Sequence, residues 1–192
     1  ANKAEGKNTL ATQAANANKD KTAADNGKAE ASKDGTKKAK EKSREEEQTT
    51  ESLSVSEADS LYVVNITKEE VDMLERIVEA EASGEDMVGK ILVADVIINR
   101  TADDEFPDTV KKVIFQKTDG GYQFTPIEDE RFWEVTVSKS TRKAVKRALG
   151  GEDYSKGALY FMSRKQAKSS NIKWFDNHLK WLFKHGGHEF YK

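Results

Sequence analysis

Residues 67–100 read TKEEVDMLERIVEAEASGEDMVGKILVADVIINR, and this stretch decides the fold. Thr67 and Glu70 form a T-x-x-E capping box, which predicts a helix starting just after Thr67. Val71, Leu74, Ile77 and Val78 recur at helical spacing and define one buried face. Glu81 stands at i+4 from Ile77 and i+3 from Val78, so it falls on that same face. Glu75 and Glu79 are expected to point toward solvent. Ser83-Gly84 should stop the helix, since glycine is favoured just past a C-terminus. Met87–Arg100 then predicts a second helix. Val88, Ile91, Leu92, Val93, Val96, Ile97 and Ile98 make it apolar nearly all round, the pattern of a helix at the centre of a domain. Its β-branched content leaves a strand as the alternative.

Downstream, Phe106-Pro107 makes a turn and Thr109 caps a short helix through Phe115. Residues 120–126, GGYQFTP, read as a loop or a short hairpin. Ser140–Leu149 is a helix closed by Gly150-Gly151. Gly157–Met162 reads as a strand, and Gly187–Tyr191 as a terminal strand able to pair with it. The segment from Trp174 to Trp181 fits neither template. The sum is a helix-dominated α+β domain with a small sheet.

Upstream, composition changes sharply. Between Ala11 and Ser52 there is no Val, Ile, Leu, Met, Phe, Trp or Tyr, and Leu10 is the one large apolar residue before Leu53. Such a stretch cannot bury enough apolar surface to offset the entropy of ordering, about 1–2 kcal/mol per residue. Residues 1–60 are therefore expected to be a disordered, low-complexity linker or tail, and residues 61–192 a single folded domain. The charged run Lys37–Glu47 has the pairs for a transient helix, and a helix that orders against a partner is the rival reading.

The 192 residues carry 34 acidic and 32 basic side chains, a formal charge of −2, which gives no argument for nucleic-acid binding. No apolar run approaches the roughly 20 residues of a bilayer span. The chain lacks cysteine, so disulfides say nothing of its compartment. It begins at Ala1 without Met, which fits either a mature form or a trimmed chain, from which any signal peptide is expected to be gone.

Several chemistries lack their residues. The three histidines, His178, His185 and His188, form no H-E-x-x-H, so a zinc protease site has no basis. There is no G-x-S-x-G, no cysteine nucleophile, no phosphate loop and no EF-hand pattern. No metal and no cofactor is expected. Glu81 breaks the apolar pattern instead. A carboxyl on an apolar helix face is partly desolvated, which raises its pKa. A carboxylic acid kept protonated near neutrality is what glycosidic cleavage needs as general acid. The plainer reading of Glu81 is an ion-paired structural residue. Glu85 has two readings as well: a favourable charge at the start of the second helix, or a second carboxylate of a site. Among the aromatics Tyr122, Phe124, Trp133, Tyr160, Phe161, Trp174, Phe175 and Trp181, most should be core, and some could line a groove for sugar rings.

Six segments occur in a telling order: VEAEASGEDMVGKILVADVIINR (78–100), FPDTVKKVIFQ (106–116), YQFTPIEDER (122–131), KAVKRALGGED (143–153), GALYF (157–161) and GGHEFYK (186–192). Together they resemble the SleB/CwlJ-type cell wall hydrolase family, best known from spore cortex breakdown. The resemblance implies a lysozyme-like or lytic-transglycosylase-like domain. Its substrate would be the peptidoglycan glycan strand, and its place would be extracellular, at the cell wall or spore. The catalytic Glu of the family's E-A-x-G-E motif falls on Glu81, and its second Glu on Glu85. The family's cleft segment falls on Gln123, Phe124 and Thr125, its L-Y-F strand on Tyr160 and its terminal H-x-F on His188. Many relatives carry E-A-R-G-E-P, where this chain has Ser83 and Asp86.

The resemblance implies cleavage between N-acetylmuramic acid and N-acetylglucosamine, with Glu81 as acid and then base of a lytic transglycosylase. Two alternatives stay open. A hydrolytic muramidase would use water and a second carboxylate, such as Glu85 or Asp129. A non-catalytic wall-binding protein would keep the same fold without turnover. Oligomeric state is not legible in the sequence.

Overall fold

The computed structural model describes residues 62–118 and 121–192. The expectations for residues 1–60 lie outside the described residues.

Helix α1 spans Lys68–Ala82 and opens on the expected capping box. Glu70 N donates to Thr67 Oγ1 at 3.2 Å, and Thr67 N donates to Glu70 Oε2 at 3.1 Å. Helix α2, Met87–Thr101, is capped by Asp86, whose Oδ1 accepts from Gly89 N at 2.8 Å. Most of α2 is buried, as its all-round apolar surface requires. Helix α1 packs on it, together with α3 (Val110–Ile114) and α6 (Lys139–Leu149). Leu74, Ile77, Val78, Val93, Ile97, Val113, Phe132 and Leu149 form this helical core.

The other elements are short. A two-stranded hairpin pairs β1 (Lys117–Thr118) with β2 (Gly121–Tyr122), so the 120–126 segment contains a hairpin strand. Helices α4 (Thr125–Glu128) and α5 (Arg131–Glu134) follow. Beyond α6 come β3 (Tyr160–Met162), α7 (Ser169–His178), β4 (Trp181–His185) and β5 (His188–Tyr191). The antiparallel sheet has the order β3-β5-β4. Tyr160 pairs with Tyr191, Phe161 with Phe190 and Met162 with Glu189, as the reading of a terminal strand anticipated. Leu92 and Val96 of α2 meet Ala158 and Phe190, which joins the sheet to the helical layer.

Three sequence readings need correction. Glu75 and Glu79 do not point into solvent. Glu75 is 9% exposed and its Oε2 takes Arg142 Nη1 at 2.5 Å. Glu79 Oε2 accepts from Ser138 N at 3.1 Å, Ser138 Oγ at 2.8 Å and Thr141 Oγ1 at 2.5 Å. Helix α6 covers that face of α1, a long-range packing that periodicity within α1 cannot reveal. The β3 strand is also shorter than the Gly157–Met162 reading, because Gly157 adopts φ +73 in the turn before it.

Candidate active site

Glu81 occupies the last turn of α1 and is half-buried. Burial raises its pKa from 4.5 to about 7; the Asp129 charge adds to the rise, and Arg131 opposes it. No hydrogen bond contributes to that balance.

The counter-charges come from the junction of α4 and α5. Glu130 adopts φ 67, a left-handed conformation uncommon for a residue with a Cβ. The reversal lets Asp129 and Arg131 face each other. Arg131 Nε donates to Asp129 Oδ2 at 2.8 Å, and Arg131 N to Asp129 Oδ1 at 3.3 Å. Arg131 Nη1 also donates to Ala80 O at 3.1 Å, which anchors α5 to the end of α1. Arg131 is thus committed to Asp129 and a backbone carbonyl, and Glu81 keeps its high pKa.

Glu85 is enclosed rather than open. Its side chain is 16% exposed, and its Oε1 accepts from Gly187 N at 3.0 Å. His188 Nδ1 stands 3.5 Å from the same oxygen. Burial holds the His188 imidazole below its usual pKa, against the pull of the Glu85 charge. One residue on, Asp86 Oδ1 is 2.8 Å from His185 Nε2.

The remaining residues carried over from the resemblance are buried. Gln123, Phe124, Thr125, Tyr160 and His188 are 5%, 2%, 4%, 3% and 8% exposed. Gln123 N bonds to Gln116 O at 3.0 Å, which extends the β1–β2 hairpin toward α4. Phe124 precedes α4 and lies 6.4 Å, ring to ring, from Phe161, which in turn meets His188 edge-on at 5.3 Å. The structure therefore brings Glu85 and His188 into contact and links His188 to Phe124 through Phe161. Tyr160 packs edge-on against Phe106 at 5.7 Å.

Sequence reasoning missed Arg100. Its guanidinium lies 4.8, 5.3 and 5.4 Å from the ring centres of Phe106, Phe124 and Tyr160. Nε donates to Leu159 O at 2.7 Å, and burial lowers the pKa to about 10. A cation at the end of a mostly apolar helix was the available signal. Of the aromatics singled out, Trp133 and Trp181 are the exposed ones, at 60% and 55%. Trp133 belongs to α5, the helix that anchors to Ala80, and it stacks on Phe115 at 5.9 Å. Among the described residues no group of three His, Asp or Glu side chains could hold a metal ion.

Residues 84–191 match the family described as Cell Wall Hydrolase, a match that begins just past Glu81. The spore cortex-lytic enzyme of Halalkalibacterium halodurans is 36% identical over 116 residues, covering 60% of this chain and 33% of that protein. The spore cortex-lytic enzyme of Bacillus subtilis is 33% identical over 116 residues, covering 60% and 36%. The chain thus spans about a third of the length of these relatives. Among solved structures, the catalytic domain of the germination-specific lytic transglycosylase SleB from Bacillus anthracis superposes with a TM-score of 0.57 at 30% identity, covering 67% of this chain and 98% of that one. The catalytic domain of the Bacillus cereus SleB protein gives 0.56 at 28% identity, covering 69% and 97%. The helix-dominated α+β architecture is the one these catalytic domains share.

Proposed function

We propose, from the premise that the chain belongs to the cell wall hydrolase family, that it cleaves peptidoglycan glycan strands as a lytic transglycosylase with Glu81 as its acid and base. The observation that carries this reading is the contrast among three carboxylates. Glu81 is half-buried, and burial raises its pKa to about 7. The two candidates for a second reacting carboxylate are engaged elsewhere: Glu85 by Gly187 N and Asp129 by Arg131. Hydrolysis with an activated water uses a second carboxylate as its base. Transglycosylation needs one group that first gives a proton and then takes one back.

In this mechanism the Glu81 carboxyl protonates the oxygen that links muramic C1 to N-acetylglucosamine. The C1–O bond breaks, and positive charge develops at C1. The C6 hydroxyl of the same muramic residue attacks C1. Its proton passes to the Glu81 carboxylate, which restores the acid. The products are a strand with a free 4-hydroxyl and a 1,6-anhydromuramic end, and no water is consumed. Trp133, exposed and braced by Phe115 and Phe132, offers an indole face on which a sugar ring of the strand stacks. Association with cell wall or spore peptidoglycan follows from the substrate.

Mass spectrometry of fragments released from purified peptidoglycan tests the reaction type. Anhydromuramic ends are expected. Reducing muramic ends would overturn the transglycosylase and require water as nucleophile. No fragments from spore cortex or from vegetative wall would leave a binding protein.

A further inference from the structure

The turn between β4 and β5 is Gly186-Gly187, and it is folded over Glu85. A Cβ on Gly186, which has φ +54, would stand 1.8 Å from Glu85 Oε2. A Cβ on Gly89 would stand 2.8 Å from Glu85 Cβ and 3.0 Å from its Oε2. Glu85 therefore packs against two glycines, and a Cβ on either would displace its side chain. Its Oε1 accepts from Gly187 N at 3.0 Å, and His188 Nδ1, buried and without a hydrogen bond, faces it at 3.5 Å. His185 Nε2 secures the same turn to Asp86 Oδ1 at 2.8 Å. Glu85 N donates to Ala82 O at 3.0 Å, so the clamped segment is tied back to the residue beside Glu81.

We infer that Glu85 is a positioning residue: together with the Gly186–His188 turn it clamps the segment after α1 and so holds the Glu81 carboxyl in its half-buried place. As an account of catalysis this rests on the function proposed above. The titratable groups facing the clamp are Asp86, His185 and His188, and those facing Glu81 are Asp129 and Arg131. A base for an attacking water must reach that water. The Glu85 carboxylate is enclosed by a turn from the far end of the chain. Loosening the clamp admits water to Glu81 and favours its charged form.

The test compares wild type with Glu85→Ala, Glu85→Gln, Gly186→Ala and the Glu85→Ala/Gly186→Ala double variant. Two readouts are taken on the full chain: the titration of Glu81 by carbon-13 NMR of its carboxyl, and kcat and KM on purified peptidoglycan across pH. Circular dichroism establishes that each variant is folded. In Glu85→Ala the Glu81 titration should fall by about one pH unit, with the alkaline limb of activity moving equally. Its kcat should drop about 10- to 100-fold at nearly constant KM. Glu85→Gln keeps an acceptor for Gly187 N and should recover most of that loss. Gly186→Ala should reproduce Glu85→Ala, and the double variant should be no worse than either single one. An unmoved Glu81 titration in Glu85→Ala would overturn the clamp. So would a Glu85→Gln variant as inactive as Glu85→Ala, since that marks a reacting carboxylate. If wild type cleaves nothing, the proposed function fails, while the titration still decides the clamp.

Discussion

Arg131 binds Asp129, with Nε 2.8 Å from Oδ2, so the two charges that act on Glu81 are held as one ion pair. The pair sets opposing influences on one acid: Asp129 raises the Glu81 pKa and Arg131 lowers it. Removing either partner should therefore move activity in a known direction. Asp129→Asn deletes the raising charge and frees Arg131 to turn toward Glu81. The alkaline limb of the pH–rate profile should shift to lower pH. Arg131→Ala should shift it to higher pH. Profiles of kcat/KM for the two variants check this, and shifts of the same sign would contradict the assignment.

The same elevated acids should make the fold less stable as pH rises. Glu81 has a folded pKa of about 7 against 4.5, and Asp95, 3% exposed, one of about 8 against 3.8. Burial dominates both shifts. A raised folded pKa contributes stability that is full below the unfolded value and is lost as pH climbs through the folded one. Both groups thus predict declining stability between about pH 4 and pH 8. Asp95→Asn keeps an acceptor for Tyr154 N, bonded at 3.2 Å, and removes the charge. It should raise stability by about 2 kcal/mol at pH 8 and by little at pH 4. Urea unfolding at the two pH values is the measurement.

Trp133 is 60% exposed yet held in place, stacked on Phe115 and edge-on to Phe132 at 4.7 Å. Trp133→Ala should raise KM for glycan strands about 5- to 20-fold, the equivalent of a lost stacking contact of about 1–2 kcal/mol. Trp181→Ala, on the sheet, should leave KM unchanged. Equal effects from both would remove Trp133 from the substrate groove.

Much of this architecture is written in local pattern. The Thr67–Glu70 box, the Val71–Val78 stripe and the all-round apolar α2 each announce themselves within one helix. The β3–β5 pairing was legible because aromatic residues in both segments flank turn glycines. Helix α7 was not, since Trp174 and Phe175 are helical through packing against Tyr160, Tyr191 and their neighbours rather than through periodicity. Strand β4 owes its place to pairing with β5, again a long-range cause. The site divides the same way. Glu81 stood out as an acid on an apolar face. The engagement of Glu85 by a turn 102 residues away, and of Asp129 by Arg131 across a left-handed Glu130, depends on tertiary folding that spacing does not encode.

If Glu81 is the one reacting carboxylate, Glu81→Gln should abolish cleavage. Wild type and the variant are incubated with purified peptidoglycan, and the released muropeptides are identified by mass spectrometry. Gln keeps the shape of the side chain and has no proton to give. Wild type should release anhydromuropeptides, and the variant should lose at least about 1,000-fold of that activity with its fold intact. Comparable release by both proteins would contradict that role for Glu81.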